Sequence, residues 1–219
     1  KLKKLYLKAN NEDCDLFITP EFALTGYPPG DLILRDDFLK KVEIYKNKTV
    51  EITANKKTIF ALSIPYKKKK YFNVLLLIRS GKIIKEFTKN KLPNYGVFDE
   101  KRYFSVNKKY SENILNLKRK RIKFLICEDM WRENKDLKNE NIDLIISINA
   151  SPYEIGKDKS RKRVAKKNAI NSNSELIYLN SVGSQDDLIF DGGYILMDKL
   201  RNIISQQSFF SESNQIINT

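Results

Sequence analysis

The stretch IKFLICEDMW, residues 122 to 131, reads as an apolar strand that runs into a cysteine and turns at once into a helix. Cys127 closes the strand, and Glu128, Asp129, Met130 and Trp131 have the look of a first helical turn. A thiol at such a junction sits near the positive end of the helix, which favours the thiolate. Taken alone, Cys127 reads equally as a buried core cysteine.

Outward from this stretch the pattern repeats. Branched apolar runs recur at 15 to 19 (DLFIT), 58 to 64 (TIFALSI), 72 to 78 (FNVLLLI), 82 to 87 (KIIKEF), 143 to 148 (DLIISI), 175 to 180 (ELIYLN) and 194 to 198 (YILMD). Several are continuous instead of alternating, as strands covered on both faces are. Helices are expected at 1 to 13, 36 to 55, 130 to 139 and 157 to 172, with Ser80 and Gly81 turning a hairpin. The alternation predicts an α/β protein. Loops fall at 26 to 31 (GYPPGD), 92 to 100 (LPNYGVFDE), 149 to 156 (NASPYEIG) and 182 to 193 (VGSQDDLIFDGG), and three of the four directly follow a strand, where sites in such folds gather.

The chain has 219 residues, 41% of them hydrophobic, and no linker-like stretch divides it, so one domain is expected. The absence of histidine removes Ser-His-Asp and Cys-His triads and HExxH metal sites together, so a catalytic base must be a carboxylate or a lysine. Two cysteines and no histidine make no ordinary zinc site, and no metal is expected. The eight glycines form neither a P-loop nor GxGxxG, so no nucleotide site is announced. No run is long and apolar enough for a membrane span, no signal peptide opens the chain, and a cytoplasmic protein is expected.

The net charge of +14 permits a basic module for RNA or an acidic partner. The lysines are scattered through every segment instead of interleaving with aromatics, which argues against nucleic acid. The densest run, KDKSRKRVAKK at 157 to 167, reads as a solvated helix face.

Three residues at strand ends offer a chemistry that needs no imidazole. Glu21 follows the run at 15 to 19 and reads as a general base or as an exposed loop charge. Lys89 ends the strand that begins at Lys82, where an ammonium group would stabilise an oxyanion; alone it is one lysine among many. With Cys127 they supply base, oxyanion partner and nucleophile. Cys14, among acidic residues that raise a thiol pKa, reads as structural.

Five segments in this order carry a resemblance: PEFALTGYPPGDL (20 to 32), KNKLPNYGVFDEKRYF (89 to 104), ICEDMW (126 to 131), INASPY (148 to 153) and VGSQDDLIFDGG (182 to 193). Together they resemble the nitrilase superfamily of carbon-nitrogen hydrolases, and within it the glutaminase domains of glutamine-dependent NAD synthetases. The resemblance implies a four-layer αββα sandwich over residues 1 to 219, with the family's opening strand preceding residue 1. It assigns Glu21 as base, Lys89 as the triad lysine and Cys127 as nucleophile. Lys91, two positions on, competes on strand geometry alone, and the family spacing before Leu-Pro selects Lys89.

By the same resemblance Tyr95, Glu128, Trp131, Ser151 and Lys157 hold glutamine, and Glu100 stands near the triad lysine. An amino acid needs a cation, an acceptor and an aromatic wall, which Lys157, Glu128 and Tyr95 would supply. Ammonia would pass to a synthetase domain of the same polypeptide, absent from this chain, which alone would use ATP and magnesium to amidate deamido-NAD. No cofactor is expected in this domain, and a homo-oligomer is. Ser184 and Tyr194 depart from the family pattern, which more often has a glycine and a smaller residue there. The alternative is a stand-alone amidase acting on another small amide.

Overall fold

The computed structural model describes residues 1–107, 112–131, 137, 140–200, 202–206 and 209–219. These form two compact units, one of Lys1–Asn107 with Ser213–Thr219, the other of Lys108–Glu212.

The first unit is built on the strands β1 (Leu16–Ile18), β2 (Ile59–Lys67), β3 (Tyr71–Arg79) and β4 (Lys82–Thr88), which lie in that order in one sheet. β1 runs parallel to β2, and the other neighbours are antiparallel. Ser80 and Gly81, both at positive φ, turn the expected hairpin. The helices α1 (Leu2–Asn11) and α2 (Asp36–Ile52) each stop short of the expected ends at 13 and 55. Tyr6 and Val42 from these helices pack with Phe60, Leu62, Ile64, Val74, Leu76 and Ile78. The alternate residues Ala61, Ser63, Leu75 and Leu77 are buried as well, which is why β2 and β3 read as unbroken apolar runs. After β1 a short 3-10 helix (Gly30–Leu34) closes the GYPPGD loop, and α3 (Glu100–Tyr103) closes LPNYGVFDE.

The second unit is a six-stranded sheet. β5 (Ile114–Leu117), β6 (Lys120–Ile126), β7 (Leu144–Asn149), β8 (Glu175–Asn180), β11 (Tyr194–Met197) and β12 (Ile203–Gln206) lie side by side in that order. β6, β7 and β8 are parallel, and the outer pairs are antiparallel. α4 (Glu128–Trp131) follows β6, and residues 132–136 and 138–139 of the expected helix lie outside the described residues. α5 (Lys157–Ser172) has the expected bounds and packs Ala165 and Ala169 against Leu125, Ile145, Leu176 and Tyr178.

The segment expected as a loop at 182–193 is instead a hairpin, β9 (Val182–Gln185) with β10 (Leu188–Asp191), paired in antiparallel register. Both units are α/β, each a sheet with helices packed on it. Among the described residues no helix is long and apolar enough to cross a membrane.

Candidate active site

In the first unit the site begins with two hydrogen-bonded strands. Beyond the last paired residues of β3 and β4, the Lys89 amide donates to the Asn73 carbonyl at 2.9 Å, so the two residues stand across from each other. Beyond β1, the amide and hydroxyl of Thr19 both bond to the Ala61 carbonyl, and the chain then turns at Phe22 to release Glu21.

The Lys89 ammonium is wholly buried between two carboxylates, 2.8 Å from Glu21 Oε1 and 2.6 Å from Glu100 Oε1. Asn73 Nδ2 donates to Glu21 Oε1 at 2.7 Å, and the Tyr27 hydroxyl donates to Glu100 Oε1 at 2.9 Å. Burial pushes the Glu100 carboxyl up to about 7; Glu21 adds to the rise, while Lys89 and the Tyr27 hydroxyl oppose it. Glu100 Oε2 has no hydrogen-bond partner among the described residues, which makes it the natural seat of that proton. The structure thus brings Glu21, Lys89 and Glu100 together, and the lysine beside Glu21 is Lys89. Tyr95 stands half exposed, edge-on to Phe98, at the outer end of an aromatic series that runs through Tyr27 to Phe22.

In the second unit, Cys127 follows β6 with φ at 46°, a left-handed conformation that costs a non-glycine residue about 1–2 kcal/mol. The fold holds it there: the Cys127 amide donates to the Ile148 carbonyl of β7, and the Met130 amide closes the turn onto the Cys127 carbonyl. The Asp129 carboxylate accepts the Ile126 amide at 3.2 Å, tying the first turn of α4 back to the strand. Cys127, Glu128 and Asp129 are all buried. The contrasting Cys14 has its thiol raised by burial and by Glu12, Asp15 and Asp13, as its acidic setting implied.

Trp131, Ser151 and Lys157 fall in the same unit. Lys157 opens α5 behind a left-handed Gly156, and its ammonium lies 5.3 Å from the Trp131 ring centre and 2.9 Å from Glu154. Ser151, two residues past β7, is buried. Among the described residues no cluster of carboxylates and thiols is arranged to hold a metal ion.

Several residues at these sites were not singled out from the sequence. Asn73 is a polar residue inside an apolar strand, a signal that does exist, since a buried amide needs partners. Arg161 lies in the run read as a solvated helix face, and this expectation is wrong at that position: the side chain is buried and bonded to Asp191 at 2.6 Å. The unusual Tyr194 has a local role, its hydroxyl 2.6 Å from Ser205 Oγ across β11 and β12.

The carbon-nitrogen hydrolase family is matched over residues 1–217. Curated relatives include the glutamine-dependent NAD(+) synthetases of Aquifex aeolicus, 33% identical over 92% of this chain, and Thermotoga maritima, 35% identical over 93%. The chain spans 36% of the length of each of these two relatives. Among solved structures, the glutamine-dependent NAD+ synthetase of Acinetobacter baumannii in complex with ADP superposes with a TM-score of 0.88 at 32% identity, over 97% of this chain and 40% of its own. An amidase of the nitrilase superfamily from Nesterenkonia AN1 superposes at 0.79 with 18% identity, over 94% of this chain and 78% of its own, a likeness of fold.

Proposed function

Because this chain belongs to the carbon-nitrogen hydrolase family, we propose that it hydrolyses the side-chain amide of glutamine through a thioester on Cys127 and releases ammonia. The observation that carries the chemistry is the Lys89 ammonium buried between two carboxylates in a chain without histidine. Such an arrangement is costly to build and serves a hydrolase that must move protons with carboxylates. The relatives named as glutamine-dependent NAD(+) synthetases support glutamine as the substrate.

In this reading Glu21 takes the thiol proton of Cys127, and the thiolate attacks the amide carbon. Lys89 stabilises the oxyanion. The carbon-nitrogen bond breaks as the proton held by Glu21 passes to the leaving ammonia. Glu21 then accepts a proton from water as the water attacks the thioester, glutamate departs, and the proton returns to sulfur. The left-handed backbone at Cys127 supports the role of nucleophile, since strain of this kind gathers at functional residues. Glu100 holds Lys89 in place. Tyr95, Glu128, Trp131, Ser151 and Lys157 are the proposed glutamine contacts.

The greater length of the relatives supports a synthetase domain on the same polypeptide, which would take the ammonia and use ATP and magnesium to amidate deamido-NAD. We place the protein in the cytoplasm, as a homo-oligomer. The test supplies glutamine to the full-length protein and measures glutamate. Cys127→Ala is expected to lower turnover by more than about a thousandfold, and unchanged turnover would reject the assignment. Faster release of ammonia from another small amide than from glutamine would favour a stand-alone amidase instead.

A further inference from the structure

In the second unit, a closed polar network lies beneath the ends of β7, β8 and β10. Arg161 Nη1 donates to Asp191 Oδ2 at 2.6 Å, while Nη2 donates to the backbone carbonyls of Ser151 at 2.8 Å and Pro152 at 3.0 Å. Nε and Nη2 also reach Ser151 Oγ, each at 3.3 Å. Asn180 completes the enclosure: its Oδ1 accepts the Ser151 amide, and its Nδ2 donates to the Ser151 carbonyl and to Asp191 Oδ1. Arg161, Ser151, Asn180 and Asp191 are each at most 4% exposed.

The backbone of Ser151 is therefore pinned from two sides by side chains of other elements. A buried ion pair gains little net stability, since desolvation offsets its attraction. Its planar fork does something a point charge cannot: one edge takes a carboxylate while the other takes two carbonyls and a hydroxyl. The guanidinium has no acceptor, so Ser151 Oγ accepts from it and keeps its own proton, for which the buried Tyr178 hydroxyl beside it and a substrate oxygen are the competing acceptors. Burial opposes the charge of Arg161, and Tyr178, Asp191 and Cys127 around it more than offset that.

We propose that Arg161 is a positioning residue for glutamine: paired with Asp191, it fixes the loop after β7 so that Ser151 presents its hydroxyl as a hydrogen donor to an oxygen of the substrate. The inference rests on the glutaminase reading and deepens it, assigning to a residue of α5 the alignment of a substrate contact.

The test uses the full-length protein. Arg161→Gln combined with Asp191→Asn removes both charges together and leaves no lone buried charge to unfold the chain. In this variant KM for glutamine is expected to rise roughly tenfold with kcat changed less than about threefold, the pattern of lost binding. Arg161→Lys, which keeps the charge near Cys127, is expected to leave the reaction of Cys127 with iodoacetamide at the wild-type rate. Arg161→Lys keeps the charge but loses the fork, and is expected to melt near the wild type while KM stays raised. A wild-type KM in either folded variant overturns the proposal, because charge or bulk alone then suffices. Equal falls in kcat and kcat/KM, with slowed alkylation of Cys127 in Arg161→Lys, overturn it as well, since they report general disorder. Glutamine hydrolysis that survives Cys127→Ala overturns the glutaminase reading itself, a separate failure.

Discussion

Glu100 and Glu21 share one ammonium group, and the sharing has a thermodynamic signature. Burial, with the charge of Glu21, lifts the Glu100 carboxyl from 4.5 to about 7 in the folded chain. Between these values the folded state holds a proton that the unfolded chain has given up. The contribution to stability is thus fully present below pH 4.5 and is lost as pH rises through about 7. With no histidine to titrate in the same range, the effect stands clear. The Tm of the wild type is expected to fall by roughly 5 °C between about pH 5 and about pH 8. Glu100→Gln, which mimics the protonated acid, should flatten that slope, and a variant as steep as the wild type would contradict the assignment. At this scale the sequence was partly legible. Glu21, Lys89 and Cys127 stand at strand ends, but a charge at a strand end reads alike whether buried or solvated. The pairing of Lys89 with Glu100 depends on a loop closure that local pattern does not encode.

At the scale of the element, legibility followed the contrast between the faces. The strands β2, β3, β6 and β7 are rich in branched residues buried on both sides and were readable from composition. α5 was found, but its inward face was not, because the buried stripe of Arg161, Ala165, Asn168, Ala169 and Ser172 is small and polar. Spacing of three and four residues was the available signal there, and lysine density hid it. The hairpin β9 and β10 reads as a loop because Val182, Gly183 and Ser184 are exposed and set up no alternation. β5 and β12 give no signal either, since the polar Asn116 interrupts the short apolar run of β5 and β12 is mostly exposed. The same hairpin carries a steric demand. Gly192 has φ at +70°, and a methyl group there would lie 2.7 Å from Val182 Cβ. Gly192→Ala is therefore expected to cost about 2 kcal/mol in urea unfolding. Val182→Ala would not relieve the clash, since the obstructing atom is Cβ itself.

Across the whole molecule, the charge of +14 is a burden that solvent ions lighten. Raising sodium chloride from about 20 mM to about 200 mM is expected to raise the Tm by roughly 2–4 °C; a fall would mean that attractive pairs outweigh the excess of like charge. The α/β class and most of the strands were legible because apolar runs mark buried sheet wherever they fall. Which strands neighbour one another was not, since β8 pairs with β7 across the whole of α5. The parallel trio of β6, β7 and β8 also acts as a ruler. Cys127, Asn149 and Asn180 stand at adjacent tips whose separation is set by the strand pitch, about 4.8 Å, and not by side-chain packing. One residue inserted into any of these strands would advance its tip by about 3.3 Å and turn each following side chain to the opposite face. Chain length between the tips is therefore free to drift in the loops and helices, but inside these three strands even a single added residue is forbidden.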